Sequence, residues 1–413
     1  MRKVMALGAS LLALGLAGGA SAQAPVKIGL LAPLSGNSAS AGNSSKAAIE
    51  IGVEIINGDH PELAPLPLAG GVGLPNLGGA KIELVVADHQ GNPATGQSQA
   101  LRLITQEQVV ALTGAYQSSV TATASATAER YGIPFVNGES VAGNLTERGF
   151  KSFFRTTPVA ADFAQSYLEF MRDMGKAGHP LKTIALVFEN TEYGTSVADT
   201  IRSAAKGSEF TVVADIPYNA NSTDVSSQVL QLKDKQPDAA IFIGYTSDAI
   251  LYVKTMKTLD YAPPMMIADD AGYSDPAFIE SSFGLAQALM NRSAWSAGKP
   301  GSVTDKINTM YKAKTNRDMD DTSARGLQAF LVLAEAINRA GSTKPEAIIK
   351  ALSETNLTPD QIVMGYNGVK FDAKGQNTLA ATYLIQLTGD KYFAVWPERS
   401  AERPIVWPYK AWK

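Results

Sequence analysis

Short apolar runs of strand length alternate along the chain with longer segments whose apolar positions recur every three or four residues. Residues 26–31, 81–87, 109–113 and 134–137 read as strands, and 44–57, 94–107 and 118–130 as the helices between them. The last two helices begin near Thr, Ser or Asn side chains that can accept from their first free amides. After Phe153-Phe154-Arg155-Thr156-Thr157-Pro158 the rhythm resumes. Segments 184–188, 211–216, 239–243 and 265–268 are strand-like, with helical segments near Ala160, Tyr193, Asp224 and Ser247. Alternation of this kind predicts parallel strands joined by crossover helices. The expected fold class is α/β, with two doubly wound parallel-sheet lobes. The connection at 155–158 is apolar and lacks the Gly/Ser richness of a floppy linker, so a structured crossover and hinge are expected there. Segment 58–79, GDHPELAPLPLAGGVGLPNLGG, breaks the rhythm. Dense in Pro and Gly and without period, it reads as an ordered, irregular excursion that decorates the surface, or else borders a cleft or contacts a partner.

Upstream of the first strand, Arg2 and Lys3 precede an apolar run over 4–18 and the small-residue pattern Ala20-Ser21-Ala22. This is an export signal with an expected cut after Ala22, too short for the roughly 20 apolar residues of a bilayer span. The mature chain is expected in the periplasm. Cysteine is absent, which rules out a lipid-anchored start and a disulfide framework. At 413 residues the chain exceeds the roughly 250–300 at which one core stops growing, so two lobes are expected on size as well. A net charge of -3 without a basic stripe argues against nucleic acid as a partner.

Catalytic and metal motifs are weak. Gly138-Glu139-Ser140-Val141-Ala142 approaches a nucleophile elbow, but Ala142 stands where the second glycine belongs. Ser203-Ala204-Ala205-Lys206 lacks companion motifs, and His60, His89 and His179 are not at metal spacing. Asp269, Asp270, Asp275 and Glu280 lack the order of a calcium loop. No enzyme activity, metal or cofactor is expected.

The order of several short motifs carries a family resemblance. IGLLAPLSG at 28–36, IELVVADHQGNP at 82–93, TGAYQSS at 113–119, YGIPFVN at 131–137, FRTTP at 154–158 and ENTEYG at 189–194 follow one another along the mature chain. In this it resembles the periplasmic substrate-binding proteins of ABC importers, in the branched-chain amino acid (Leu/Ile/Val) receptor class with the type I periplasmic-binding fold. The resemblance implies two lobes joined by three crossovers: 26–156 with 290–365 in lobe one, 157–289 with 366–413 in lobe two. It implies a monomer that carries a small ligand, an amino acid or a relative of one, to permease subunits in the inner membrane. A periplasmic sensor for a chemoreceptor or kinase, and a receptor for an amide or aromatic acid, are the alternatives.

In open α/β sheets ligands sit beyond the carboxyl ends of the strands. There Ser118 and Ser119 open a helix whose first amides and partial positive charge suit an anion, unless both serines only cap it. The resemblance gives Ser118 the carboxylate of the ligand and Asp270 its ammonium, with Asp269 structural. A buried carboxylate needs such a partner. By the same resemblance Tyr193 and Tyr245 close over the ligand. Two departures bear on its identity: Ala41 stands where many relatives carry an aromatic residue, and Glu139-Ser140-Val141 replaces a small neutral loop. Glu139 repels a second anion, receives a cation or hydroxyl, or turns to solvent. The expected ligand is bulkier than leucine, an amino acid derivative or amide.

Overall fold

The computed structural model describes residues 23–269 and 271–409. The export signal, its cut after Ala22 and Asp270 therefore lie outside the described residues.

The first lobe opens with β1 (Val26–Ala32), α1 (Ala39–Asn57), β2 (Ile82–Asp88), α2 (Pro93–Thr105), β3 (Ala111–Gly114), α3 (Ser118–Tyr131), β4 (Phe135–Asn137) and β5 (Phe153–Arg155). Its five strands lie parallel in the order β2-β1-β3-β4-β5. Alternate residues of β1 enter different cores. Ile28 and Leu30 pack with Ile49, Ile55, Leu327 and Phe330, whereas Leu31 packs with Ala100, Leu103 and Val120. Burial on both faces is why these strands read as continuous apolar runs. Asn92 caps α2, accepting from Thr95 N at 3.0 Å, and Gly132 at φ 66° ends α3. Helix α1 begins ahead of the expected residue 44 because Gly42 lets its first turn approach the preceding loop. A Cβ on Gly42 would lie 2.1 Å from the Pro33 carbonyl oxygen.

The second lobe follows as α4 (Ala160–Lys176), β6 (Thr183–Glu189), α5 (Glu192–Ala205), β7 (Thr211–Tyr218), α6 (Ser226–Lys235), β8 (Ala239–Ile243), α7 (Thr246–Thr258), β9 (Met265–Ala268), α8 (Pro276–Ser281) and β10 (Met290–Ser293). The chain then returns to the first lobe as α9 (Val303–Thr315), α10 (Asp321–Ala340), α11 (Pro345–Ser353), β11 (Asn356–Leu357) and β12 (Val369–Lys370). Hairpin β13 (Tyr383–Thr388) and β14 (Lys391–Trp396) finishes the second sheet, whose order is β14-β13-β10-β9-β8-β6-β7. Strands β6 to β10 are parallel; β13 and β14 run antiparallel.

Two expected boundaries shift. A first-lobe segment starting at 290 would take in β10, yet β10 pairs with β9 and β13 and belongs to the second sheet. A second-lobe segment starting at 366 would take in β12, yet β12 pairs with β11, and Val369 and Phe371 pack in the first-lobe core. The first segment of the return is thus 294 onward, and it ends beyond Phe371.

Residues 58–79 form an ordered excursion on the first lobe. Leu63, Leu66, Ala69 and Leu74 are buried beside α1. Gly73 N donates to Ile56 O at 2.7 Å, Asn76 N to Asn338 Oδ1 at 2.9 Å, and Lys306 Nζ to Glu62 O at 2.8 Å. Packing against α1, α9 and α10 fixes it to the flank of the lobe.

The crossover at 155–158 is held by Arg155, which is 0% exposed. Its guanidinium donates to Gln376 Oε1 at 2.7 Å, Ala142 O at 2.7 Å and Thr146 Oγ1 at 3.2 Å. Burial pushes its pKa down to about 9. Asn377 N donates to Arg155 O at 2.9 Å, so the first and third crossovers run side by side.

Candidate functional site

Each sheet reverses its winding beside its first strand, between β1 and β3 in the first lobe and between β6 and β8 in the second. Loops leaving such strands toward opposite faces leave a crevice at their carboxyl ends. From the first lobe come the start of α1, the loop from β3 into α3, and the loop after β4. From the second come the first turn of α5, the loop from β8 into α7, and the segment after β9.

These loops meet. Ala41, Tyr116 and Val141 of the first lobe pack in one apolar cluster with Tyr193 and Tyr245 of the second. The rings form a row across the cleft: Tyr116 to Tyr245 is 5.7 Å between centroids, and Tyr193 to Tyr245 is 5.5 Å. Polar contacts close the rim. Ser40 Oγ donates to Asp275 Oδ1 at 2.6 Å, Asn37 Nδ2 to Asn221 Oδ1 at 2.8 Å, Gly143 N to Ser196 Oγ at 3.2 Å, and Asn144 Nδ2 to Glu192. The loop after β9 approaches the start of α7 through Gly272, where a Cβ would lie 2.0 Å from the Tyr245 carbonyl carbon.

The residues expected to hold a ligand fall in different settings. Ser118 is buried at the first position of α3, its Oγ 3.4 Å from Ala142 N, and Ser119 beside it is half-buried. The cap position is Gln117, which makes no side-chain cap bond, so neither serine is the cap. Ser140 is buried with its hydroxyl engaged: it donates to Tyr116 O at 2.9 Å and meets Thr121 Oγ1 at 2.7 Å. Its job is to tie the loop after β4 to the loop before α3. Glu139 is buried, and burial raises its carboxyl to about 7, although Arg325 and the Ser45 hydroxyl pull the other way. Asp269 is fully buried and bound within its own lobe. Tyr193 Oη donates to its Oδ2 at 2.9 Å and to its backbone carbonyl, Tyr167 Oη donates to Oδ1, and Arg292 Nε reaches Oδ1 at 2.7 Å. Arg292 also stacks 3.5 Å over the Phe163 ring; burial opposes its charge, and Asp269 holds its pKa above the ordinary value. Asp270, outside the described residues, has no geometry to report.

Three groups escaped the sequence. Tyr116 lies inside the TGAYQSS stretch but adopts φ 71°, a left-handed conformation rare for an aromatic residue, which no propensity announces. Asp320 and Arg325, at the start of α10, are brought to the cleft only by the return of the chain to the first lobe. Arg325 Nε pairs with Asp321 Oδ2 at 2.8 Å, and Arg325 Nη1 approaches Glu139 O at 3.5 Å. Among the described residues no three His, Asp or Glu side chains stand close enough to hold a metal ion.

Residues 25–391 match the family described as periplasmic binding protein. The chain belongs to that family. It is similar to the Leu/Ile/Val-binding protein homolog 7 of Brucella suis, 31% identical over 404 residues that span 95% of this chain and 96% of the relative. Among solved structures it is similar to the branched-chain amino acid transporter substrate-binding protein LivJ of Streptococcus pneumoniae in complex with isoleucine. There the TM-score is 0.76 at 23% identity, covering 93% of this chain and 100% of that one. It is also similar to an ABC transporter solute-binding protein of Rhodopseudomonas palustris in complex with benzoate, with a TM-score of 0.75 at 19% identity over 92% and 97% of the two chains. As a periplasmic binding protein it is an extracytoplasmic, non-catalytic receptor that takes a small ligand between its lobes for an ABC permease.

Proposed function

We propose that the ligand is an amino acid or amino acid derivative bulkier than leucine. Its carboxylate meets the amides and hydroxyls at the start of α3, at Ser118 and Ser119, where the helix supplies partial positive charge. Its ammonium meets Asp270, and its apolar part lies between Tyr193, Tyr245, Val141 and Ala41. The observation that carries this reading is the meeting of Ala41, Tyr116 and Val141 with Tyr193 and Tyr245 in one cluster drawn from both lobes. A ligand touching both walls stabilises the closed form over the open one, which is the signal a permease reads. The Leu/Ile/Val-binding name of relatives at 31% identity supports an amino acid, and the small Ala41 side chain supports extra bulk.

Mass spectrometry of small molecules released on denaturing the purified protein tests this directly. The expected result is a compound bearing a carboxylate and an amine and larger than leucine. Calorimetry in which leucine, isoleucine or valine binds tightly and larger amines and amides do not would overturn the bulk. N-terminal sequencing of the exported protein should begin at Gln23. Co-purification from the membrane fraction should recover a permease with its ATPase; a chemoreceptor or sensor kinase in their place would make the chain a sensor. Size-exclusion chromatography should give a monomer.

A further inference from the structure

The first-lobe wall of the cleft carries more negative charge than a simple amino acid uses. Glu139 is pressed onto α10: a Cβ on the adjacent Gly138 would lie 2.4 Å from Arg325 O, and one on Gly326 lies 3.7 Å from Glu139 Oε1. The residue is 8% exposed, and its Oε1 has no hydrogen-bond partner. Asp320 caps the same helix with one oxygen, accepting from Ser323 N at 2.7 Å, while its Oδ2 is buried and unpartnered. Tyr116, 7% exposed, adds a third such oxygen, its hydroxyl. Glu139 and Asp320 both lie against α10, and the Ser140 hydroxyl, next to Glu139, donates to Tyr116 O at 2.9 Å, which brings the three residues into one neighbourhood.

Buried acceptors without donors are costly, and the cost is greatest for ionised oxygens. Asp275 is satisfied by Ser40, Thr246 and its own helix start, and Arg325 is engaged by Asp321. Two carboxyls and a phenol fall short of the roughly six to eight oxygens that calcium takes, whereas an ammonium offers three donors and a guanidinium five. Of the three, Asp320 alone borders a cavity of about 520 Å³, with Ser274, Ser293 and Trp295.

We propose that Glu139, Asp320 and Tyr116 form a subsite for a second, cationic group on the ligand, the ammonium or guanidinium at the end of a side chain. The subsite rests on the cleft being the ligand site, and it narrows the ligand from amino-acid-like to basic amino-acid-like. One wall then holds the distal cation while the α3 start and Asp270 hold the carboxylate and the α-ammonium.

Calorimetry on the full mature chain, stripped of ligand by unfolding and refolding, tests it with ornithine, lysine, arginine, agmatine and leucine. E139Q keeps the shape of the side chain, and D320N keeps a competent helix cap. At least one basic probe should bind at least tenfold more tightly than leucine, and each variant should lower the ratio of basic to neutral affinity tenfold or more. That ratio does not depend on how much of a variant is folded. If leucine binds and no basic probe does, or if a basic probe binds with an unchanged ratio in both variants, the subsite is overturned and the cleft reading stands. If no probe binds and none contracts the protein in X-ray scattering, the subsite falls together with the proposed amino acid ligand.

Discussion

Arg155 Nε donates to Gln376 Oε1 at 2.7 Å, joining positions 221 apart in sequence. Gln376 in turn donates from Nε2 to Thr157 O at 2.9 Å, so the first and third crossovers act as one strap. Q376A removes the acceptor of a buried cation and should cost about 1–3 kcal/mol in chemical denaturation. An unchanged midpoint would show that the strap does not support the hinge.

Asp269 and Arg292 form a buried ion pair with 0% and 4% side-chain exposure. D269A removes the carboxylate that pairs with the buried Arg292 guanidinium and accepts from Tyr167 and Tyr193, and should lose about 3–5 kcal/mol of stability with or without ligand. D270N, by contrast, should weaken an ammonium-bearing ligand by about 3–5 kcal/mol. Denaturation and calorimetry on both variants separate the two roles, and a D270N protein with native affinity would remove Asp270 from the site.

Ser40 donates across the cleft to Asp275, so this bond exists only while the lobes are together. S40A should raise the dissociation constant of any closing ligand roughly fivefold, equivalent to about 1 kcal/mol, and shift X-ray scattering of the ligand-free protein toward the extended form. Equal affinity in S40A and the parent chain would mean that the rim contact adds nothing to closure.

Burial raises Glu139 to about 7, against about 4.3 for an unfolded chain. A carboxyl with a raised folded pKa binds more protons folded than unfolded. Its contribution is therefore full at low pH and is lost as pH climbs from about 4 through about 7. Ligand-free E139Q should gain on the parent chain over that window by of order 3 kcal/mol. Melting curves from pH 4.5 to 8 check this, and a constant gap between the two proteins would contradict it. A cationic ligand held by the ionised carboxyl should bind more tightly across the same rise.

Most strands announced themselves because both faces of each sheet are covered, leaving uninterrupted apolar runs such as Ala239–Ile243. Strand β10, Met-Asn-Arg-Ser, carries no such run: Asn291 and Arg292 are buried as polar side chains, Arg292 for the sake of Asp269, and the boundary was therefore misplaced. The return of α9 to α11 to the first lobe came from resemblance, since local periodicity holds no information about which sheet a helix covers. Tyr193 and Tyr245 were named from the resemblance, since nothing in their local sequence sets them apart from ordinary core tyrosines. Tyr116 was not singled out, because it adopts a left-handed backbone, and neither was Asp320, because only the return of the chain to the first lobe places it at the cap of α10.

The second sheet receives its last two strands from residues 383–396, and the first lobe waits for α10 before Ile28 and Leu30 have a cover. Neither half is encoded as one uninterrupted stretch, so a nascent chain emerging from its ribosome lacks a finished core until nearly all of it has been made. Delayed collapse of this kind suits a polypeptide that must thread a narrow translocation channel before it folds on the far side.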